Sequence, residues 1–326
     1  MTIDIRADRR TVLSSMLALT AGAGFGTASA QTGASALNLA MVAEPPTLDI
    51  QSTPADLVCI IMQHVFEPLY TFDAKASLVP MLAESMPRIS ADGKSYGITL
   101  RKGVKLHSGR DRKAEDVVAS LKRWMEVSPR GKSVAAQVDS IAAKDSLTVE
   151  IMLKNAYAPL LSQLAMASGM AAIMAKESLA QPLREFVGTG PYKFKERRPD
   201  QYVLLTRFDG YAARKEAANG YGGKRVAVVD ELRFLPVPNA NTRVEGALAG
   251  QFHYADLLPI EASYSVGGLS GELGPGAAVA LYEANLQREL RLAFEAVRDA
   301  ARSVPEHFVD RGRHFARDGA PLVRAG

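Results

Sequence analysis

Short stretches in which apolar and polar residues alternate recur along the chain, and each predicts a β-strand with one buried face. The first occupies residues 37–41, and the prolines of Glu44-Pro45-Pro46 end it. Further strands of this kind are predicted at 147–153 and 232–234. The same alternation on both sides of a turn predicts a hairpin at 192–204.

A second hairpin is predicted at 96–106, where Gly103 takes the left-handed turn position of Arg101-Lys102-Gly103. Apolar residues at helical spacing predict an amphipathic helix from Ala114 to about Val127. Trp124 lies on the apolar side of that helix, so we expect its ring to pack in the core.

Near the end of the patterned region, Asn239 or Asn241 is expected to cap a short helix that Gly250 ends. The predicted helices and hairpins follow one another without a regular strand-helix alternation. The expected fold class is therefore α/β, with mixed α+β layers.

Residues 1–30 have the pattern of a signal peptide. Arg9-Arg10 precedes an apolar run at 11–27, and Ala28-Ser29-Ala30 supplies the small residues of a cleavage site. The arginine pair resembles a twin-arginine export signal, so the mature chain is expected to begin at Gln31. A membrane anchor is the disfavoured alternative, because a bilayer span needs about 20 apolar residues and this run is shorter.

Composition narrows the function classes. The 326 residues are 47% apolar, which is enough for a buried core. A net charge of +4 is too small to indicate a surface that binds nucleic acid. The one cysteine, Cys59, permits neither an internal disulfide nor a multi-thiolate metal site. Since Cys59 lies in the apolar stretch 57–62, its thiol is expected to be buried and inert.

No motif for catalysis or cofactor binding stands out. The five histidines are scattered singly, and the chain has no phosphate-binding loop, zinc-protease motif or Gly-x-Ser-x-Gly elbow. Met166, Met170 and Met174 recur at four-residue spacing, which is more typical of a helix core than of a copper site. The chain is therefore expected not to be an enzyme and to need no cofactor and no metal.

A succession of short motifs resembles the family 5 extracellular solute-binding proteins of ABC importers, the dipeptide, oligopeptide and nickel binding group. Each motif is weak alone, but their order over about residues 37–259 is specific. The motifs are Pro46–Asp49, Phe66–Tyr70, Pro80–Ser85, Asp92–Tyr96, Leu100–Gly109, Ala114–Arg123, Val187–Tyr192, Arg207–Tyr211 and Asp230–Phe234.

The resemblance implies a periplasmic binding protein-like fold, in which two lobes close about a hinge onto a solute without transforming it. It implies that residues 31–75 and 185–260 form the core of the first lobe and that 76–184 form an inserted subdomain. The implied partners are a small-molecule or peptide solute, with short peptides as the expected class, and an ABC permease in the inner membrane. The implied location is the periplasm, and nucleic acid is not an expected partner.

The resemblance also places the ligand cleft, lined by the loop from Glu44 to Gln51 and by the stretch 166–170. The alternative for the double-glycine segment near residue 190 is a plain structural turn. The candidate ligand-binding residues are Glu44, Pro45, Pro46, Thr47, Met170, Gly188, Thr189 and Gly190.

The resemblance ends near residue 260, before a second lobe would begin. Residues 261–326 contain eight arginines and no lysine, whereas residues 31–260 contain fourteen lysines. This change in the use of lysine and arginine favours a frameshift near residue 260 over a genuine divergent ending. Within the tail, apolar residues at helical spacing predict a helix at about 276–302. Loss of the second lobe is expected to impair solute binding. An alternative function is a non-transport scaffold that retains only the first lobe.

The frameshift hypothesis predicts that DNA across codons 250–270 encodes family-like sequence in another frame. Sequencing that region and translating all three frames checks it. If neither alternative frame restores such sequence, the ending is genuine and the hypothesis is wrong.

Overall fold

The computed structural model describes residues 35–258. Eleven strands and five helices lie in that range, together with a 3₁₀ turn at Lys176–Ser178. The strands are β1 (Ala36–Met41), β2 (Tyr70–Phe72), β3 (Leu78–Pro80), β4 (Arg88–Ile89), β5 (Ser95–Thr99), β6 (Val138–Asp145), β7 (Thr148–Leu153), β8 (Tyr192–Arg198), β9 (Tyr202–Arg207), β10 (Glu231–Pro236) and β11 (Tyr254–Ala255). The helices are α1 (Asp56–Met62), α2 (Ala114–Val127), α3 (Pro129–Ala135), α4 (Leu160–Ala165) and α5 (Ala240–Leu248).

The larger sheet has five strands in the spatial order β11-β1-β10-β9-β8. β1 pairs in parallel with both β10 and β11, whereas β9 runs antiparallel to its two neighbours. Alternate residues of β10 are buried, and three consecutive residues of β9 are buried. Apolar residues of both strands pack with α1 in one cluster that we call the large-sheet core. Its members include Val58, Ile61, Val203, Leu205 and Phe234.

The smaller sheet has four antiparallel strands in the order β4-β5-β7-β6. In β7 every second residue is buried, which is the period of a strand with one covered face. The apolar side of α2 covers this face, and together they form the small-sheet core. Its members include Ile98, Leu121, Trp124, Val149 and Ile151. β2 and β3 form a separate two-stranded sheet.

Several elements predicted from the alternation and helical spacing are confirmed. β1, β7, β10 and the β8–β9 hairpin lie where alternation predicts them, and α2 spans the predicted Ala114–Val127. Trp124 is fully buried, and its Nε1 donates to the carbonyl of Gly169 at 2.9 Å. Asn239, rather than Asn241, caps α5 by accepting from the Thr242 amide at 3.0 Å.

The second predicted hairpin, at 96–106, is wrong. Gly103 does take a left-handed turn conformation, with φ of +70°, but residues 104–106 form no strand beside β5. β5 pairs instead with β4 and β7, and the Leu100 amide donates to Leu147 O. Val104 and Leu106 are buried as loop residues, so their alternation reflects burial without strand pairing.

The predicted helical core of methionines is also wrong. α4 ends at Ala165, and the following residues run without helical structure to the bridge between Glu67 and Ile173. Met170 and Met174 are buried there, whereas Met166 is 38% exposed. Cys59 behaves as expected, because burial raises the pKa of its thiol to about 11.

A buried polar network joins the two cores. The Arg123 guanidinium of α2 makes a bidentate pair with the Asp49 carboxylate, at 2.5 and 3.2 Å, and donates to Gln51 Oε1 at 2.7 Å. Gln51 in turn donates to the carbonyls of Ser120 and Ala172. These contacts fix the loop after β1 against a helix of the small-sheet core.

Within residues 35–258, no helix combines the length and apolar composition that crossing a bilayer requires.

Replacing Arg123 with methionine leaves the Asp49 carboxylate buried without a cation. We expect the free energy of unfolding, measured by urea denaturation, to fall by about 3–5 kcal/mol. Arg198→Met is the control, because the Arg198 side chain is 57% exposed and its ion pair with Glu196 is 3.4 Å long. That variant should lose less than about 1 kcal/mol. Equal losses in the two variants would contradict the proposed importance of the buried pair.

Candidate functional site

Three parallel strands end at the same edge of the larger sheet. β1 ends at Met41, β10 at Pro236 and β11 at Ala255. β1 lies between the other two. The later strands β8, β9 and β10 lie on one side of β1, and the last strand, β11, lies on the other. In open α/β sheets such a reversal of strand order leaves a crevice outside the carboxyl ends, where ligands bind. We call residues 42–47, 237–239 and 256–258 the switch-point edge.

One buried side chain holds much of this edge together. The Arg243 guanidinium of α5 is 4% exposed and donates to the carbonyls of Val237 and Pro238 at 2.7 and 2.9 Å. It also donates to the carbonyls of Asp256 and Leu257 at 2.9 and 3.1 Å. The ends of β10 and β11 are therefore cross-linked through a single cation.

Asp256 adds a second link, between β11 and β1. Its amide donates to Ala40 O at 2.8 Å, and its carboxylate accepts from the Tyr254 hydroxyl at 3.1 Å. Burial raises the pKa of the Asp256 carboxyl above its usual range. The edge is thus a rigid platform of main-chain and buried polar groups.

The predicted loop residues Glu44–Thr47 belong to this edge. Glu44 accepts from Arg197 at 2.6 and 2.9 Å, and Arg197 also donates to Pro45 O at 2.8 Å. These hydrogen bonds hold the pKa of the Glu44 carboxyl below its usual range. Pro46 is exposed, and Thr47 accepts from the Asp49 amide. The carboxylate of Glu44 is therefore engaged by the chain itself, while Pro46 faces solvent.

The predicted residues Gly188 and Gly190 lie elsewhere, against the turn after α1. A Cβ on Gly188 would lie 2.1 Å from Val65 O, and one on Gly190 would lie 2.4 Å from His64 O. Only glycine permits so close an approach of two backbones. Thr189 is 1% exposed and donates to Glu67 Oε2 at 2.8 Å. This packing agrees with the structural-turn alternative, and a ligand contact here stays a prediction.

His107 also binds the segment Gly188–Gly190, through both nitrogens of its ring. Its Nδ1 accepts from the Gly188 amide at 3.3 Å and its Nε2 lies 3.0 Å from Gly190 O. Burial lowers the pKa of this imidazole to about 4, so the ring is neutral at pH 7. An open depression of about 390 Å³ adjoins the contact. Its lining residues are His107, Ser108, Arg184, Glu185, Phe186, Val187, Lys193 and Phe194.

The last predicted residue, Met170, is 2% exposed in the large-sheet core. The neighbouring stretch contacts residues that follow the loop Glu44–Gln51, since Ser168 Oγ donates to Pro54 O at 2.7 Å and Cys59 Sγ of α1 donates to Ala167 O at 3.1 Å. That the loop and the stretch 166–170 line one cleft stays a prediction. The structure places Met170 itself in the core rather than at their surface.

Sequence reasoning missed the residues that shape the edge. Leu257 is 71% exposed with φ of +45° just after β11, although an apolar residue in Asp256-Leu257-Leu258 would ordinarily be expected inside. Arg243 differs from expectation in the opposite direction, because this charged residue is buried. The sequence offered one signal for Arg243, its position four residues after the expected helix cap Asn239, which places it in the first turn of that helix. Within the described range, no group of three His, Cys, Asp or Glu side chains could hold a metal ion.

Solved structures define the class of protein. The dipeptide binding protein from Pseudoalteromonas sp. SM9913 in complex with Met-Leu matches with a TM-score of 0.61 and 25% identity, over 71% of this chain and 49% of that one. NikA from Brucella suis in complex with Fe(III)-EDTA matches with a TM-score of 0.54 and 25% identity, over 67% and 42%. The expected periplasmic binding protein-like fold is confirmed. The match covers less than half of each neighbour.

The sequence model of the "Bacterial extracellular solute-binding proteins, family 5 Middle" matches residues 77–301, well over half of the chain. The chain belongs to the family 5 bacterial extracellular solute-binding proteins. The expectation that it is not an enzyme is thereby confirmed, because these proteins carry solutes without transforming them.

Curated solute-binding proteins are also similar to this chain in sequence. The glutathione-binding protein GsiB of Pectobacterium atrosepticum is 28% identical over 221 residues, which are 66% of this chain and 40% of the relative. The nickel-binding periplasmic protein of Escherichia coli is 28% identical over 200 residues, covering 60% and 35%. The chain thus spans about two fifths of the length of the relatives it matches.

The family match runs beyond residue 260, where the motif resemblance ended. The predicted signal peptide at 1–30, the frameshifted tail at 261–326 and the helix at 276–302 lie outside the described residues. They stay predictions.

The double-glycine contact makes a specific prediction. Gly188→Ala forces a Cβ against a carbonyl oxygen, so we expect the free energy of unfolding in urea to fall by about 1–3 kcal/mol or more. The control is Gly97→Ala, because a Cβ there would meet nothing closer than 3.8 Å. That variant should retain or slightly gain stability. Similar losses for both variants would show that the close backbone approach is not a constraint.

Proposed function

We propose that this chain is the periplasmic solute-binding component of an ABC importer and that its switch-point edge forms one wall of a cleft for short peptides. The solute is held without covalent chemistry and passed to a permease in the inner membrane. The observation that carries the proposal is the meeting of three parallel strand ends at a reversal of strand order, beside the predicted loop Glu44–Thr47.

The chemistry of the edge favours a peptide. Glu44 and Arg243, two charged groups at or beside the edge, are occupied by contacts within the chain. Exposed Pro46 and Leu257 then offer apolar contacts at the surface of this edge. Extended peptides are recognised largely through their backbone, with loose pockets for side chains. Relatives with peptide ligands in their names support the same class, including a probable peptide ABC transporter periplasmic-binding protein of Sinorhizobium fredii, 29% identical over 60% of this chain and 39% of its own length.

The same proposal assigns the domains as residues 31–75 and 185–260 for the first-lobe core and 76–184 for an inserted subdomain. The origin of the strands supports this division. All five strands of the larger sheet come from Ala36–Met41 and from residues after 191, and all four of the smaller sheet lie between Arg88 and Leu153.

We infer unequal roles for the eight candidate ligand-binding residues. Pro46 and Thr47 lie at the edge with exposed surface and are proposed to touch solute. Glu44 and Pro45 hold that loop to Arg197. The buried positions Met170 and Gly188–Gly190 are proposed to support the wall from behind. Export through residues 1–30 and weakened solute binding remain parts of the hypothesis.

Peptide binding is tested by thermal unfolding of the full chain against pools of di- and oligopeptides. We expect a concentration-dependent rise in melting temperature with at least one pool, because a ligand of the native state stabilises it by mass action. Affinity is then measured by titration calorimetry. If no pool shifts the transition, the proposed peptide-binding function is wrong.

A matched pair of variants tests the location of the site. Leu257 and Val228 are similarly exposed, at 71% and 74%, but Val228 precedes β10 and so lies toward the opposite edge of the sheet. Leu257→Asp should weaken peptide binding about tenfold, by removing an apolar contact worth roughly 1.5 kcal/mol or more. Val228→Asp should bind as the unmodified chain does. Equal affinities for the two variants would place the site elsewhere.

A further inference from the structure

Two arginines lie close together inside the protein without an acidic partner. Arg112 is only 2% exposed, and Arg101 is half-buried. Arg112 Nη2 donates to the carbonyl of Arg101 at 2.5 Å, so the two residues are in direct contact. Among residues 35–258, neither guanidinium has a carboxylate within 4.0 Å.

Most of their donor groups are unused. Arg101 Nη1 donates to Ala212 O at 3.1 Å, but Arg101 Nε and Nη2 and Arg112 Nε and Nη1 have no protein partner in the described part of the chain. All four nitrogens are shielded from solvent. Buried polar groups of native proteins are nearly always hydrogen-bonded, and a buried cation is costly unless it is paired.

The nearby acids do not relieve this imbalance. Glu67 is fully buried, but its carboxylate accepts from the hydroxyls of Thr189 and Tyr211, at 2.8 Å each. Asp116 is bound by Arg110 and by the amide of Lys113. Burial, and then the charge of Arg101, lower the pKa of Arg112 to about 10, which still leaves it protonated at neutral pH.

We propose that Arg101 and Arg112 form a buried binding site for one small monovalent anion, with chloride as the candidate. The carboxylate of Glu67 makes no ion pair with either arginine but acts on Arg112 through its charge. It can offset one of the two guanidinium charges, which leaves one positive charge for a monovalent ion to neutralise. The four unused nitrogens supply N–H donors for its coordination. Neither arginine belongs to the switch-point edge, so the site is independent of the proposed peptide cleft.

The test uses the full chain in sodium gluconate buffer, with sodium chloride replacing gluconate at constant ionic strength. We expect the melting temperature to rise by about 3 °C or more and to saturate, since the anion binds only the native state. Bromide should reproduce the effect and sulfate should not. An identical melting temperature in chloride and gluconate would overturn the proposal.

Arg112→Met removes the charge while keeping an apolar side chain of similar length, and it should abolish the response to chloride. Arg184→Met is the control, because Arg184 is exposed, and it should keep the response. A chloride response that persists in Arg112→Met would also overturn the proposal. If Arg112→Met does not fold, anomalous diffraction from bromide-soaked crystals of the unmodified chain decides the matter. A peak between the two guanidiniums supports the site, and its absence refutes it.

Discussion

The buried contact of Arg123 with Asp49 and Gln51 determines where the rest of the described structure can lie. Leu48 and Ile50 belong to the large-sheet core, whereas Leu121 and Trp124 belong to the small-sheet core. The three polar side chains between them are each less than 10% exposed. Such an ion pair contributes little net stability compared with apolar residues, but it tolerates only one arrangement. Its main effect is to fix the loop that follows β1.

That loop leads directly to the switch-point edge, and the same logic continues there. Arg243 satisfies four carbonyls of two separate strand ends, so the edge is held without help from a ligand. A pre-formed wall loses less conformational entropy when solute arrives. Under the proposed function this rigidity is useful, because a lobe that closes as a unit must keep its own shape.

Local periodicity was enough to predict elements that have one covered face, whether their partners are near in sequence, as for β7, or far, as for β1 and β10. The alternation in 148–153 and the helical spacing in 114–127 correspond to one covered face each, and both are confirmed. The same alternation failed at 104–106, because those residues are buried by distant segments without a partner strand.

Residue type was also a poor guide to burial at several positions, because tertiary contacts decide burial there. Arg112 and Arg243 are buried, and Leu257 is exposed, against the usual preference of each type. For the candidate site, the motif resemblance proposed the loop at 44–47, and its contact with a solute stays a prediction. The role of Arg243 depends on two strand ends that meet only in the folded chain, so no local pattern could reveal it.

The contact at Gly188 and Gly190 has a consequence for how this protein can diverge. The atoms nearest to a Cβ at either glycine are the main-chain oxygens of Val65 and His64, which every amino acid carries, and the Phe66 ring also lies close to Gly188. Drift in the identity of positions 64 and 65 would therefore leave the contact intact. Gain of even one methyl group at either glycine would not, so tolerance to change is distributed very unevenly across this short stretch of neighbouring backbone.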